Sequence, residues 1–535
     1  GVMPDWNPAE IIGTRPGRLA SSLYRYLILD DVWATQRAEY GYRDVRPQPL
    51  LQMFAGHPYV DVRASFNSFI PATVPDGLAE RLVDFYLGWL RQHPHLHDKV
   101  EFDVVPTCYA LDFERWRERL AVEGEFQPQE IEQLAEGLRA ITAGAVARTD
   151  GDLRLVAEAE ARFDRFDCQP KPSLDLVFAL LEECRRYGTL VFAHLARSGF
   201  VAVTLLRSAV RNGVLSQAAV DEFMNSIRTV SHQFTDDVAS VAQKRMPFAE
   251  LVSRYGHLRP GTYDITSACY GENPEQYLAP AVARAELAEL GHGDESPMGA
   301  WNEERAAFAS AMASVGLPSD VDVLERFLRG AIEGRERAKF VFTRHLSLAI
   351  ECLARVGAEY GLGREQVAGI PLEAFATLRA GQVGGADRGS WLTLRAEEGE
   401  QAARAAAMIE LPPLLFSEAD FYSFVYSESH ANFVGKQRVV AECVDLRNVS
   451  NEKGAILEGK VALIPQADPG YDWLFGHGIA GLITMYGGAN SHMAIRAAEF
   501  GLPAAIGVGE GKYAALAKAD VLELDPVNKR IEVIR

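Results

Sequence analysis

From about Pro71 to Ala407 the apolar residues recur at helical spacing. In the run 78–86, Leu78, Leu82, Val83 and Tyr86 fall on one helical face, and longer helices are predicted over Glu130–Val146 and Asp320–Tyr360. Pro128 stands just ahead of Glu130, where a first helical turn tolerates a missing N–H. Gly256, Pro260-Gly261, Gly291-His292-Gly293 and Pro318 separate the helices. Residues 1–70 are mixed, with a strand expected over Tyr59–Phe66. No repeat of fixed period is present.

After Ser427 the period changes. Val439–Val444, Lys460–Ile464 and Gly481–Thr484 read as strands, followed by a helix from His492 to Phe500 and further strands at Pro503–Gly507 and Arg530–Ile534. The pattern predicts a multidomain chain. A mainly α-helical N-terminal domain spans 1–430, a short polar linker 431–435, and a compact C-terminal α/β domain 436–535.

The 535 residues are 48% hydrophobic and 24% charged, enough to bury cores without disulfides or metals. Six scattered cysteines show no CxxC spacing, so reduced thiols and no metal-ligand cluster are expected. Neither a signal peptide nor a run of 18 uncharged apolar residues is visible, which points to a cytoplasmic protein that does not enter a membrane. The formal charge is −19, and residues 436–535 contribute only 11 basic against 12 acidic side chains. The excess negative charge on the helical part argues against nucleic acid as a partner, while leaving room for a small anion held by local cations.

Candidate chemistry is concentrated in Ile483–Arg496, which runs strand, Gly-Gly turn and Ser-His at a helix start. Adjacent Gly487 and Gly488 let backbone N–H groups approach an anion, and the helix N-terminus adds unpaired donors and partial positive charge. An imidazole at that point is favoured as the neutral base, whose lone pair can attack phosphorus. Read bottom-up, the same turn also suits a plain helix capped by Ser491 with an incidental histidine.

The run Gly487–Gly507 resembles the swivelling phosphohistidine domain of the dikinase family, which includes phosphoenolpyruvate synthase, pyruvate phosphate dikinase and rifampin phosphotransferase. Thr484, Gly487, Gly488, Ser491, His492, Ala494, Ile495, Glu499, Gly501, Pro503 and Ala504 match its pattern. Met493 and Ala498 depart from it, away from the nucleophile. The resemblance implies that His492 is the catalytic residue and carries a covalent phosphoryl group. Gly487, Gly488, Asn490, Ser491 and Arg496 would bind the phosphate, and Thr484 would orient the ring.

The order of segments resembles rifampin phosphotransferase, where a helical acceptor-binding domain precedes the phosphohistidine domain. Asn7–Gly13, the turn Arg254–Ile265 and the helix Arg335–Lys339 are similar to segments of that protein. Candidate acceptor-binding residues are therefore His257, Arg259 and Asp264 in the turn, and Arg335, Arg337 and Lys339 on the helix. Arg335 and Lys339 share a helix face that Arg337 does not. Arg63 and Asn67, in and just after the early strand, complete the set.

No pyruvate-binding barrel follows the C-terminal domain, so a small-molecule hydroxyl is the expected acceptor. No ATP-grasp module or phosphate-binding loop is found, so ATP and Mg2+ are expected on a separate ATP-grasp subunit, as in phenylphosphate synthase. The expected reaction is ATP + acceptor–OH + water to AMP + phosphate + phosphorylated acceptor. The alternative is a phosphohistidine relay or signalling adaptor acting on another protein.

Overall fold

The computed structural model describes residues 1–164, 166, 171–287, 298–423, 431–447, 457–467, 469–488 and 491–535. Its N-terminal part is helical, built around three long elements: Pro128–Phe163, Leu190–Arg211 and Val321–Glu359. Pro128 occupies the first turn as the sequence predicts, and Gln127 N donates to Glu130 Oε2 at 2.9 Å to close a capping box. Asp320 caps the longest helix by accepting from Val323 N at 2.9 Å. Leu328, Leu346, Ile350 and Leu353 on that helix are fully buried, so it serves as the spine on which the other helices pack.

Leu174–Arg211 is the one stretch among the described residues long and apolar enough to cross a membrane, but 67% of its apolar window is buried by protein. It is a core element, which length and composition alone do not distinguish from a span. The expected strand at 59–66 is shorter than predicted. β1 (Leu51–Phe54) and β2 (His57–Val60) form a two-stranded antiparallel hairpin, and Val62–Ser68 is a helix capped by Asp61. The aspartate accepts from Ala64 N at 3.0 Å and so ends the strand.

The C-terminal part is a seven-stranded mixed sheet comprising β3 (Asn432–Val434), β4 (Val439–Asp445), β5 (Val461–Gln466), β6 (Gly481–Tyr486), β7 (Ala504–Ile506), β8 (Val521–Asp525) and β9 (Arg530–Val533). Its order is β3-β7-β6-β5-β4-β8-β9, parallel from β7 through β4 and antiparallel at both edges. The segment 431–435, read as linker, thus supplies an edge strand. β5 reads as an unbroken apolar run because both faces are covered. Ala462 and Ile464 face Met493 and Ala497 of the His492–Glu499 helix, while Val461 and Leu463 face Tyr513 and Leu516 of the Glu510–Leu516 helix.

The first of these faces also receives the helical part. Val238, Leu251, Tyr255, Tyr277 and Leu278 share its core with Trp473 and Leu474 from the 3-10 segment Pro469–His477. The closest approach is backbone on backbone: a Cβ at Gly470 would lie 1.8 Å from the carbonyl oxygen of Arg259. Tyr270 Oη donates to the Gly470 carbonyl at 2.9 Å beside it. A second tie joins Thr14 Oγ1 to Glu510 Oε1 at 3.0 Å.

Gly470→Ala cannot fit without separating these surfaces. The variant is expected to show a larger radius of gyration by small-angle scattering and faster proteolytic separation of the two parts, with the helical part still folded. An unchanged scattering curve would mean that the contact does not hold the C-terminal domain in place.

Candidate functional site

The Gly-Gly turn leaves β6 with Thr484 fully buried beneath it. Thr484 Oγ1 donates to the Tyr486 carbonyl at 2.9 Å and accepts from Gly507 N at 3.0 Å, tying the exits of β6 and β7 together. That bonding makes Thr484 a brace for the turn. Gly487 has φ +142°, and a Cβ there would meet Ala467 Cβ at 2.6 Å and Ile506 Cγ2 at 2.9 Å. Gly488 is the opposite case, with open space where its Cβ would be. Ser491 N donates to the Gly488 carbonyl at 3.0 Å, and Ser491 Oγ caps the helix by accepting from Ala494 N at 3.3 Å. His492 is the first residue of that helix, at the positive end of its dipole. Asn490 lies outside the described residues.

Gly488 and Ser491, with Ala467, close one side of a cavity of about 420 Å³ whose remaining walls belong to the helical part. Arg335 and Lys339 lie in its wall, on the face of the Val321–Glu359 helix that their spacing assigns. Lys339 is half-buried and has no carboxylate partner among the described residues. Glu336 lines the same wall. Arg197, from the Leu190–Arg211 helix, is buried and ion-paired with Glu101. Arg37 donates to both Asp5 oxygens at 3.1 Å, and its guanidinium lies 4.2 Å from the Phe69 ring centroid. Apolar surface comes from Tyr24, Phe102, Phe192, Phe200 and Phe342.

Several residues expected at this site lie elsewhere. Arg63 and Asn67 belong to the Val62–Ser68 helix, not to a strand, and are absent from the cavity wall; Arg63 is exposed and bonded to Asp84 at 2.9 Å. Arg337 points outward to Glu160 at 2.8 Å. Arg496 is buried against Phe475 and Phe500, 3.7 Å from Asp472, and fixes the helix to the Pro469–His477 segment rather than facing Ser491.

The 254–265 turn is a scaffold. Asp264 accepts from Thr266 N at 2.9 Å and from the hydroxyls of Thr266 and Ser267, which closes the turn on itself. Arg259 donates to Glu351 at 2.6 Å and to Ser347 Oγ at 3.0 Å, deep in the protein. His257 Nε2 donates to the Phe340 carbonyl at 3.2 Å, and burial lowers its pKa to about 3. Their neighbours Thr262 and Tyr263 do reach the cavity wall.

Residues 456–528 match the PEP-utilising enzyme, mobile domain family. No curated protein matches the chain. The matched segment takes in β5 to β8, the Gly-Gly turn and His492. The mobile domain of PEP-utilising enzymes carries their phosphohistidine, and members of the family are phosphotransferases. In this chain the turn of the mobile domain that bears His492 therefore closes a cavity in the helical part.

Sequence reasoning missed Trp6, Gln36, Arg37, Arg197 and Glu336, all in the cavity wall. Glu336 stood beside a chosen residue, and Trp6 beside a motif already noted. Gln36, Arg37 and Arg197 carried no local signal, because only tertiary packing brings their helices to the same space.

Cys269, Glu272 and Glu351 bring ligand atoms within 4.8 Å of one another. Arg259 and Arg364 hold both Glu351 oxygens, at 2.6 and 2.5 Å, so two guanidinium charges already occupy the place of a cation. This trio does not fit Mg2+.

His194 and His257 are held near pKa 3 and His345 near 4, in each case chiefly by burial. Unfolded histidine titrates near 6.5, so between these values the unfolded chain binds more protons and stability falls as pH falls. Each group contributes at most about 1.4 kcal/mol per pH unit. Thermal melts from pH 7 to 4.5 should show a falling midpoint, with a shallower slope in His257→Gln. Equal slopes would show that His257 is not held neutral.

Proposed function

We propose that this chain is the phosphohistidine-carrying, acceptor-binding component of an ATP-dependent dikinase-type phosphotransferase. The observation that carries the reading is the shared cavity: Gly488 and Ser491 beside His492 on one side, Arg335 and Lys339 on the other. ATP and Mg2+ bind on a separate ATP-grasp subunit. The carboxylate–thiol trio among the described residues, whose Glu351 is held by two guanidiniums, does not suit the metal.

Two half-reactions follow. At the nucleotide site, with the mobile domain displaced from its seat, ATP and water are converted to AMP, inorganic phosphate and one phosphoryl group on a nitrogen of His492, the broken phosphoanhydride bonds being replaced by the phosphorus–nitrogen bond and by the bond to water's oxygen. The domain then returns, and an acceptor hydroxyl in the cavity attacks phosphorus as the phosphorus–nitrogen bond breaks. The hydroxyl proton ends on the leaving imidazole, so atoms and charge balance. Gly488 gives the phosphoryl oxygens room to reach backbone N–H groups, and Arg335 and Lys339 neutralise charge that spreads over those oxygens during transfer. One carrier thus serves two separated sites, each with its own positioning groups.

The second half-reaction is tested by loading His492 chemically with phosphoramidate and following its discharge onto a panel of phenols and alcohols. Lys339→Met and Arg335→Met should load as wild type but discharge to acceptor about 100-fold slower or worse. Arg337→Met, on the outer face, should discharge as wild type. Equal discharge by all three variants would remove the helical cavity from the reaction.

A further inference from the structure

A second cavity, of about 440 Å³, lies beside the first. Val203 and Val210 of the Leu190–Arg211 helix, Val220 and Met224 of the Gln217–Asn225 helix, Ile332 of the Val321–Glu359 helix and Ile495 of the mobile domain line it. No aromatic ring does so among the described residues. Val203 and Ile495 are partly exposed and join none of the apolar clusters that form the cores. Exposed Gln217 and Asp221 satisfy each other, Gln217 Nε2 donating to Asp221 Oδ1 at 2.8 Å. A space walled by aliphatic groups offers water few partners and suits hydrocarbon. Arg207, Arg211, Arg335 and Glu336 line both cavities, so the two adjoin. Arginine stems present apolar methylenes, and Arg335 makes no ion pair closer than 3.8 Å among the described residues, so it can turn aside. The mobile domain closes both cavities along one helix face. Ser491 borders the first and Ile495 the second, and Ile495 N donates to the Ser491 carbonyl at 3.2 Å, one turn back. One turn rises about 5–6 Å, so the second cavity begins within reach of a molecule whose hydroxyl lies in the first.

Resting on the proposed acceptor role of the first cavity, we infer that the second is a subsite for an aliphatic arm of the acceptor, which lies against Val203 on one side and Ile495 of the mobile domain on the other. The two walls have different chemistry. Phe102, Phe192, Phe200 and Phe342 give the first cavity rings, whereas the second is branched and straight-chain hydrocarbon throughout its apolar lining. The subsite also has a consequence for the carrier. Ile495 belongs to the mobile domain and the other apolar walls to the helical part, so the arm is fully covered only with the domain on its seat. Arm binding and seating therefore favour each other by the same factor. An acceptor with such an arm draws the carrier to the cavity that it occupies. Val203 and Ile495 are thus specificity-determining residues, distinct from the cations that face the phosphoryl group.

The test uses the straight-chain 1-alkanols from ethanol to decanol, which carry a hydroxyl and an arm of graded length. Titration calorimetry on the full, unphosphorylated chain should show affinity rising about threefold or more per methylene over part of the series, then levelling once the space is filled. The rise should be lost in Val203→Phe, which fills the cavity, and reduced in Ile495→Gln, which removes its cover; melting curves confirm that both variants fold. Proteolytic separation of the two parts should slow with decanol and not with ethanol, and Ile495→Gln should lose that slowing. A flat series, a rise that survives in full in either variant, or separation that decanol leaves unchanged would each overturn the inference. Binding is read without phosphate on His492, so the two claims separate. Long alkanols that bind in this way but never discharge the phosphorylated chain contradict the phosphotransfer reading and leave the aliphatic site standing.

Discussion

Arg259 is the hinge pin of the architecture. Its guanidinium is buried and bonded to Glu351, Ser347 and the carbonyls of Asp264 and Ser267, which fastens the 256–271 turn to the Val321–Glu359 helix. Its own carbonyl meets Gly470, where no side chain intervenes. The helix that anchors this seat also carries Arg335 and Lys339 into the cavity. One rigid element therefore sets both where the mobile domain rests and which cations its turn faces. Removing one partner of a buried pair such as Arg259–Glu351 leaves the other charge uncompensated, at about 3–5 kcal/mol, so the seat has little tolerance for change.

Among the described residues the contact between the helical and C-terminal parts is non-covalent. It depends on a backbone approach at Gly470, one tyrosine hydrogen bond, the Thr14–Glu510 contact and a patch of apolar side chains, with no described disulfide across it. The turn bearing His492 is built differently. Thr484, Gly507 and the Ser491 cap lock it internally, through bonds made wholly within the C-terminal part.

Much of the framework was legible because it rests on local periodicity. Pro128, Asp320 and the apolar spacing located two of the three long helices, the first only as far as Val146, and the run Lys460–Ile464 was legible as the strand that became β5. β3 and β8 were missed. β3 is three residues long, and β8 is interrupted by Glu523, which pairs with both Arg438 and Arg530. The Gly-Gly turn ahead of His492 was legible because glycines, cap and histidine are contiguous. The cavity was not, since its wall joins residues near 5, 36, 100, 197 and 335 that only packing brings together. His257, Arg259 and Asp264 have the side chains of a binding loop, yet His257 is bonded to the Phe340 carbonyl, Arg259 to buried Ser347 and Glu351, and Asp264 to Thr266 and Ser267 of its own turn. Residue type suggested chemistry there, and the bonds these side chains make give each a part in holding the turn.

The account turns on whether His492 carries phosphate. The most direct measurement is intact-protein mass with peptide mapping, under alkaline conditions that preserve phosphoramidates, after mixing the chain with Mg-ATP and a panel of ATP-grasp proteins. The account predicts one acid-labile phosphoryl group, mapped to His492 and absent from His492→Ala. No gain with any donor, or a gain that persists in the variant, would contradict it.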